Sequence, residues 1–162
     1  MKILLIDQNK DGAQLIWGAL RGPRNCGQDR VDHEINLYPA LLKLQDDPHR
    51  WDVIVLELCF PECQGLTTLN LVLANAKGVP VVVMSALESR EIRAEALILG
   101  ADDYIIKGRF TTTRLAQALL YASERGRQGQ EKPRSCELCG RFRGVNAHAT
   151  ANCEPRYAEP AR

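Results

Sequence analysis

The sequence predicts an α/β protein built on a doubly wound, five-stranded parallel sheet. Five short apolar runs alternate along the chain with five segments whose apolar residues recur at helical spacing. Most of these runs are continuous rather than alternating with polar residues, as expected for strands that helices cover on both faces. Right-handed crossovers between parallel strands would place helices on both sides of the sheet.

The elements of the first half are bounded by strong breakers. We predict a strand at 2–6, a helix at 11–20, a weaker strand at 34–37 and a short helix around 41–44. The first strand is apolar up to an acidic residue, and the first helix has one apolar stripe. The sequence Arg-Gly-Pro-Arg-Asn-Cys-Gly separates that helix from the second strand, and Asp-Asp-Pro ends the second helix.

The second half carries clearer signals. We predict strands at 53–56, 79–84 and 104–106, and helices at 66–76, 89–99 and 113–125. The run Val-Ile-Val-Leu at 53–56 has the β-branched, apolar composition of a buried strand. Pro80 falls near the start of its strand, where a missing N–H is tolerated. Gly78 and Gly100 are typical of helix ends.

Length and composition fit one ordinary domain with a short appendage. The 162 residues are 45% hydrophobic and 25% charged, as in globular proteins. Acidic residues outnumber basic ones up to residue 124, and the reverse holds afterwards. We therefore predict a domain at 1–125, a polar linker at 126–135 and a tail at 136–162. No apolar run is long enough to cross a membrane and no signal peptide is recognisable, so we expect a cytoplasmic protein.

Polar side chains stand at the ends of four predicted strands. They are Asp7, Glu57, Ser85 and Lys107. In an open parallel sheet the functional crevice lies at the carboxyl ends of the strands. We expect these side chains to meet there as two carboxylates, a hydroxyl and an ammonium group. The alternative is that they merely face solvent where each strand ends.

Three motifs resemble the receiver domain of two-component response regulators, a flavodoxin-like fold. Asp-Val-Ile-Val-Leu-Glu-Leu-Cys-Phe-Pro-Glu-Cys-Gln-Gly-Leu at 52–66 is similar to the segment around the family's phosphorylated aspartate. Val-Val-Val-Met-Ser-Ala at 81–86 resembles the strand with the switch hydroxyl, and Gly-Ala-Asp-Asp-Tyr-Ile-Ile-Lys at 100–107 the segment with the switch aromatic and the lysine. The resemblance covers about residues 1–125.

The resemblance implies a role for each of these residues. Glu57 takes the position of the phosphoacceptor, Ser85 and Tyr104 are the switch residues, and Lys107 is the family's lysine. After phosphorylation, the hydroxyl would contact the phosphoryl oxygens and the aromatic ring would move inward. The family implies a signalling module rather than an enzyme, acting in phosphorelay signal transduction.

Two positions depart from the family pattern. Family members carry two adjacent acids that hold Mg²⁺, whereas Asp7 is followed by Gln8. Glu57 replaces the phosphate-accepting aspartate and is longer by one methylene. The lost carboxylate charge and the shifted oxygens both oppose phosphoryl transfer, which depends on positioning and metal charge. We expect weak or absent Mg²⁺ binding and an atypical, pseudo-receiver type of signalling without phosphorylation.

Three interpretations of Glu57 remain open from the sequence. Its carboxylate imitates part of a phosphoaspartate, or it forms a structural ion pair with Lys107, or it still accepts a phosphoryl group weakly from a histidine kinase. The expected partner is a signalling protein, a histidine kinase or an output module, docked on the last helices, and a homodimer is a further expectation. The net charge of +1 gives no ground for nucleic-acid binding.

A cluster of metal-binding residue types lies in the tail. Cys136, Cys139, His148 and Cys153 have the spacing C-x2-C-x8-H-x4-C. Three thiolates and one imidazole form a common tetrahedral set for Zn²⁺. The alternative is a tail with free thiols. A zinc-dependent adaptor that uses the receiver as a scaffold is an alternative function for the chain.

Overall fold

The computed structural model describes residues 1–20 and 29–130. The strands are β1 (Lys2–Ile6), β2 (Arg30–Glu34), β3 (Val53–Leu56), β4 (Val81–Ser85) and β5 (Asp103–Ile106). The helices are α1 (Asp11–Leu20), α2 (Leu37–Asp46), α3 (Leu66–Ala76), α4 (Arg90–Leu99) and α5 (Thr112–Gln130), with a short 3₁₀ turn at Pro48–Arg50. Each strand is followed by a helix, which confirms the predicted alternation.

All neighbouring strands of the sheet are parallel. Their order is β2-β1-β3-β4-β5, so β2 and β5 are the edges. The strand order reverses at β1, which pairs with β2 on one side and with β3 on the other. This reversal leaves a crevice at the carboxyl ends of the strands. The doubly wound, five-stranded sheet predicted from the sequence is confirmed.

Two apolar cores cover the faces of the sheet. On β1, Leu4 and Ile6 belong to the core that α2, α3 and α4 cover. Ile3 and Leu5 belong to the core that α1 and α5 cover. Successive side chains of a strand point to opposite faces, so a strand covered on both sides needs apolar residues throughout. This burial explains the continuous apolar runs in the sequence.

The second strand was predicted in the wrong place. It lies at Arg30–Glu34 rather than at 34–37, and Leu37 instead begins α2. As an edge strand, β2 is only half-buried and carries polar residues such as Asp32 and His33. It therefore has no apolar run that a sequence pattern can detect. Leu37 is apolar because it packs into the core from the first turn of α2.

The last helix also differs from its predicted extent. It continues to Gln130, five residues beyond the predicted end. Gly126 explains part of this extension, because it allows the helix to approach Pro80: a Cβ at Gly126 would lie 2.7 Å from Pro80 Cδ. The strand β4 likewise begins at Val81, since Pro80 cannot donate a ladder hydrogen bond.

The chain divides into two units, of which the structure describes the first. This unit is Met1–Glu131, and the second comprises Lys132–Arg162. The predicted linker at 126–135 therefore overlaps the end of α5, and the predicted tail lies outside the described residues. Within residues 1–20 and 29–130, no helix combines the length and hydropathy that a membrane span requires.

Candidate functional site

The four predicted side chains meet at the carboxyl edge of the sheet. Asp7 directly follows β1, Glu57 follows β3, Ser85 ends β4 and Lys107 follows β5. Hydrogen bonds between neighbouring strands continue through these positions: Glu57 N–H donates to Ile6 O (2.9 Å) and Lys107 N–H to Ser85 O (2.8 Å). The sheet ladder thus fixes where each side chain starts, and the side chains converge above it.

The Glu57 carboxylate is buried and fully engaged. Its Oε1 accepts hydrogen bonds from the Ser85 hydroxyl and from the backbone N–H groups of Leu58 (2.7 Å) and Cys59 (3.3 Å). Its Oε2 lies 2.7 Å from Lys107 Nζ. Only 7% of Glu57 is exposed, so these donors replace the water that an ionised carboxylate would otherwise require.

Lys107 bridges the two carboxylates of the site. Its Nζ lies 2.7 Å from Asp7 Oδ2 and 2.7 Å from Glu57 Oε2. Burial by itself lowers the pKa of Lys107, but the hydrogen bonds and negative charges of Asp7 and Glu57 outweigh it and raise the pKa. The ammonium group therefore stays charged at neutral pH and balances part of the buried negative charge.

The side chains around Asp7 hold its carboxylate in place. Its Oδ1 accepts the backbone N–H of Asn9 (2.9 Å), and Gly12 at the start of α1 leaves room for Oδ2, which a Cβ there would overlap. The neighbouring Gln8 donates its amide N–H to the carbonyl of Cys59. The position that the family fills with a second acid therefore presents an amide bound to backbone.

Tyr104 lies inside the molecule rather than at its surface. The residue is 2% exposed, and its hydroxyl donates to the carbonyl of Leu87 (2.9 Å). Burial raises the pKa of Tyr104, so the phenol stays protonated. The Leu87 N–H in turn lies 3.4 Å from the Ser85 oxygen. A path of polar contacts thus runs from Glu57 through Ser85 and Leu87 to Tyr104.

Several groups of the site were not predicted from the sequence. The backbone N–H groups of Leu58 and Cys59 and the carbonyl of Leu87 bear no side-chain signature. The only feature of the sequence that could have indicated the role of Gly12 is its position at the start of a predicted helix. The thiol of Cys59 is half-buried, and burial together with the Glu57 charge raises its pKa. The predicted zinc ligands Cys136, Cys139, His148 and Cys153 lie outside the described residues.

The fold and the site together define a receiver-type signalling domain. A parallel sheet with carboxylates, a hydroxyl and a lysine at its carboxyl edge is the arrangement that the sequence motifs indicated. A family model described as "Response regulator receiver domain" matches residues 3–120. The chain belongs to this family.

Known proteins show the same likeness. The transcriptional regulatory protein CusR of Escherichia coli K12 is 32% identical over 108 residues, which cover 66% of this chain and 44% of CusR. The receiver domain of the Francisella response regulator 1452 superposes with a TM-score of 0.63 at 27% identity, covering 76% of this chain and 97% of that domain. A two-component response regulator from Clostridium difficile superposes with a TM-score of 0.60 at 28% identity. This match covers 77% of this chain and 96% of that structure. The chain spans less than half the length of the curated regulator CusR.

Proposed function

We propose that this chain is an atypical receiver that signals by protein contact, independently of phosphorylation, with Glu57 in the phosphoacceptor position. One observation carries the proposal: the Glu57 carboxylate binds the Ser85 hydroxyl with one oxygen and the Lys107 ammonium with the other. The family resemblance assigns these two partners to the phosphoryl group. Glu57 therefore imitates part of a phosphoaspartate, with less charge and fewer acceptor oxygens.

The position of Tyr104 supports this imitation over a purely structural ion pair. An ion pair needs only Lys107, whereas the contacts continue from Ser85 through Leu87 to the buried Tyr104 hydroxyl. In the family, inward movement of this aromatic ring follows phosphorylation. Here the ring is inward while the carboxylate of Glu57 supplies the acceptor.

We further propose that Mg²⁺ binds weakly or not at all at this site. The two carboxylates, Asp7 and Glu57, direct one oxygen each to the Lys107 ammonium. Gln8 contributes an amide whose N–H is bound to the Cys59 carbonyl. Mg²⁺ prefers several oxygen ligands including carboxylates, and Gln8 supplies an uncharged amide where the family supplies a second acid. The residues present do not fit the ion.

The proposed partner is a signalling protein, such as a histidine kinase or an output module, that docks on α4, β5 and α5. A homodimer through the same surface is part of the proposal, and so are a cytoplasmic location and the lack of an enzymatic role. Exposed apolar side chains on this side include Leu97, Ile98 and Tyr121, which are 42%, 84% and 58% exposed. Apolar residues of this size are suited to a protein interface.

A second candidate function is an active phosphoacceptor, because the chain belongs to a family of phosphorylated receivers. Acetyl phosphate with Mg²⁺, read by intact mass, separates the two. We expect no adduct on the parent chain, and one phosphoryl group on the variant that combines Gln8→Asp with Glu57→Asp. The matched control combines Gln8→Asp with Glu57→Ala, which removes the acceptor and should abolish any adduct. A stable phosphoryl adduct mapped to Glu57 of the parent would replace our proposal with the second function.

A further inference from the structure

The second helix exposes apolar residues on the side that faces away from the sheet. Of the ten residues of α2, only Lys43, Gln45 and Asp46 carry a charged or amide side chain. The inner side of the helix packs into the core, whereas Tyr38 and Leu42 are each 65% exposed. A helix that is apolar on nearly all sides is usually covered on all of them. The outer side of α2 therefore has the character of a protein contact surface.

The exposed residues of α2 form one row. Tyr38, Leu42 and Asp46 are spaced at i, i+4 and i+8, so they follow one another along the outer side of the helix, and we call them the outer row. Because a helix rises about 1.5 Å per residue, Leu42 lies about 6 Å along the axis from each of the other two. The outer row thus has an apolar centre, an aromatic hydroxyl at one end and a carboxylate at the other.

The charges at the ends of α2 oppose its helix dipole. The first turn contains no acid, and the N-cap residue Asn36 makes no side-chain capping hydrogen bond. Asp46 and Asp47 stand at the other end, and within the described residues neither forms an ion pair. Lys43 of the last turn binds acids of β2 instead. Acids are favourable near a helix N-terminus and unfavourable near a C-terminus, so an antiparallel partner helix would complement both ends.

We propose that the outer row binds the outer row of a second copy of this chain, in an antiparallel pair of α2 helices. A twofold axis at Leu42 brings this side chain against its own copy and places Tyr38 opposite the partner's Asp46, since both lie equally far from Leu42. The phenol hydroxyl then donates a hydrogen bond to the carboxylate. The acids at the end of each helix lie beside the uncapped N-terminus of the other. This self-complementarity favours a second copy over an unrelated protein.

This contact is separate from the homodimer surface proposed above on α4, β5 and α5, and it does not depend on the site around Glu57. A helix of ten residues spans only about 15 Å, less than the interfaces of permanent dimers extend. The association should therefore be weak, with a dissociation constant of roughly 10 to 100 μM.

Sedimentation equilibrium of the full chain measures this association. Every variant carries Ile98→Glu, which places a charge on the exposed surface of α4 and so isolates the contact through α2. This background should still dimerise. Adding Leu42→Glu opposes two like charges at the axis and should weaken dimerisation at least about tenfold. The matched control adds Leu120→Glu on α5, where the leucine is 46% exposed, and should leave the dissociation constant unchanged.

An exchange of charges tests the register of the two helices. Tyr38→Glu places an acid opposite the partner's Asp46 and should weaken dimerisation about tenfold. Adding Asp46→Lys converts this repulsion into an ion pair and should restore most of the lost affinity. Within one chain the two positions lie about 12 Å apart along the helix, so the restoration reports a contact between chains.

The result with Ile98→Glu separates this inference from the proposed function. If the parent dimerises and this background stays monomeric up to about 1 mM, self-association belongs to α4 and the inference about α2 is wrong. A parent that is itself monomeric at this concentration would mean that a different protein covers α2, which also overturns the inference. So would a dissociation constant that Leu42→Glu leaves unchanged, or a loss with Tyr38→Glu that Asp46→Lys does not restore.

Discussion

At the scale of single residues, Lys107 is the group on which the site depends most. Its ammonium group lies 2.7 Å from an oxygen of Asp7 and 2.7 Å from an oxygen of Glu57, and both of these acids are buried. Two buried carboxylates repel each other unless a cation lies between them. The lysine therefore permits two acids of like charge to share the edge of the sheet.

Removal of this cation should destabilise the fold. We expect Lys107→Met to lower the free energy of unfolding by about 3 kcal/mol at neutral pH, because it leaves two buried charges without their partner. Urea denaturation measures the loss. Lys10→Met is the control, since Lys10 is exposed, and it should change stability by less than about 0.5 kcal/mol. Equal losses in the two variants would show that Lys107 does not stabilise the acids.

Stability should also depend on alkaline pH through the same lysine. The folded protein raises the pKa of Lys107 above its ordinary value of 10.5, so the unfolded chain releases this proton first as pH rises. The stabilisation is therefore complete below pH 10.5 and is lost as the pH passes through the folded pKa. We expect the difference in unfolding free energy between the parent and Lys107→Met to shrink only above that pH. A difference that already shrank between pH 7 and 9 would contradict this assignment.

The side chains of the site could be predicted, whereas their backbone partners could not. Asp7, Glu57 and Lys107 each follow an apolar run, so the sequence indicates their strand ends directly. The donors at Leu58 and Cys59 and the acceptor at Leu87 are peptide groups that any residue supplies. Their role depends on how the loops approach the carboxylate and the tyrosine, which is a tertiary property.

At the scale of elements, the same contrast separates the inner strands from the edge. The strands β1, β3 and β4 are buried on both faces and were located within about two residues from their apolar runs. The strand β2 pairs on one side only and is half-buried, so its polar residues gave no strand signal. Its position follows from pairing with β1 and from contacts of α2, in which Lys43 binds Asp32 and Glu34.

Two helical glycines should respond oppositely to the same substitution. At Gly126 of α5, a Cβ would lie 2.7 Å and 3.0 Å from atoms of the rigid Pro80 ring, so Gly126→Ala should destabilise the fold by about 1 to 3 kcal/mol. At Gly18 of α1, a Cβ meets no described atom within 4 Å, so Gly18→Ala should stabilise it by about 0.5 to 1 kcal/mol. Thermal or urea unfolding measures both. Stabilisation by both changes would mean that α5 does not pack on Pro80 at this point.

At the scale of the whole molecule, metal binding should be visible in global stability. A ligand that binds the folded state raises the melting temperature, and the stabilisation grows with the logarithm of the ligand concentration divided by its dissociation constant. We expect millimolar Mg²⁺ to leave the melting temperature of the parent unchanged and to raise that of the variant with Gln8→Asp and Glu57→Asp. Mg²⁺-free buffers with matched ionic strength serve as the reference. A rise in the parent would show that the amide of Gln8 does not prevent binding.

The tail permits a separate test on the full chain. If Cys136, Cys139, His148 and Cys153 form the predicted set, purified protein should contain about one zinc ion per chain. Replacing Cys136 and Cys139 by serine should remove the metal. The matched control replaces Cys59 and Cys63, which lie in the receiver-type unit, by serine. This substitution should leave the metal content unchanged. Absence of zinc from the parent chain, purified without chelators, would refute the prediction.

The inward position of Tyr104 has a consequence for how information would pass through such a protein. A receiver that moves its aromatic ring only after modification reports an event. On the proposed function, a ring that is hydrogen-bonded to Leu87 without modification would present the same shape throughout. On the proposed function, the surface offered to a partner does not vary with the activity of a kinase. The strength of the response would then follow the cellular concentration of the chain, so that gene expression and turnover, rather than chemistry at the acidic edge, set the output.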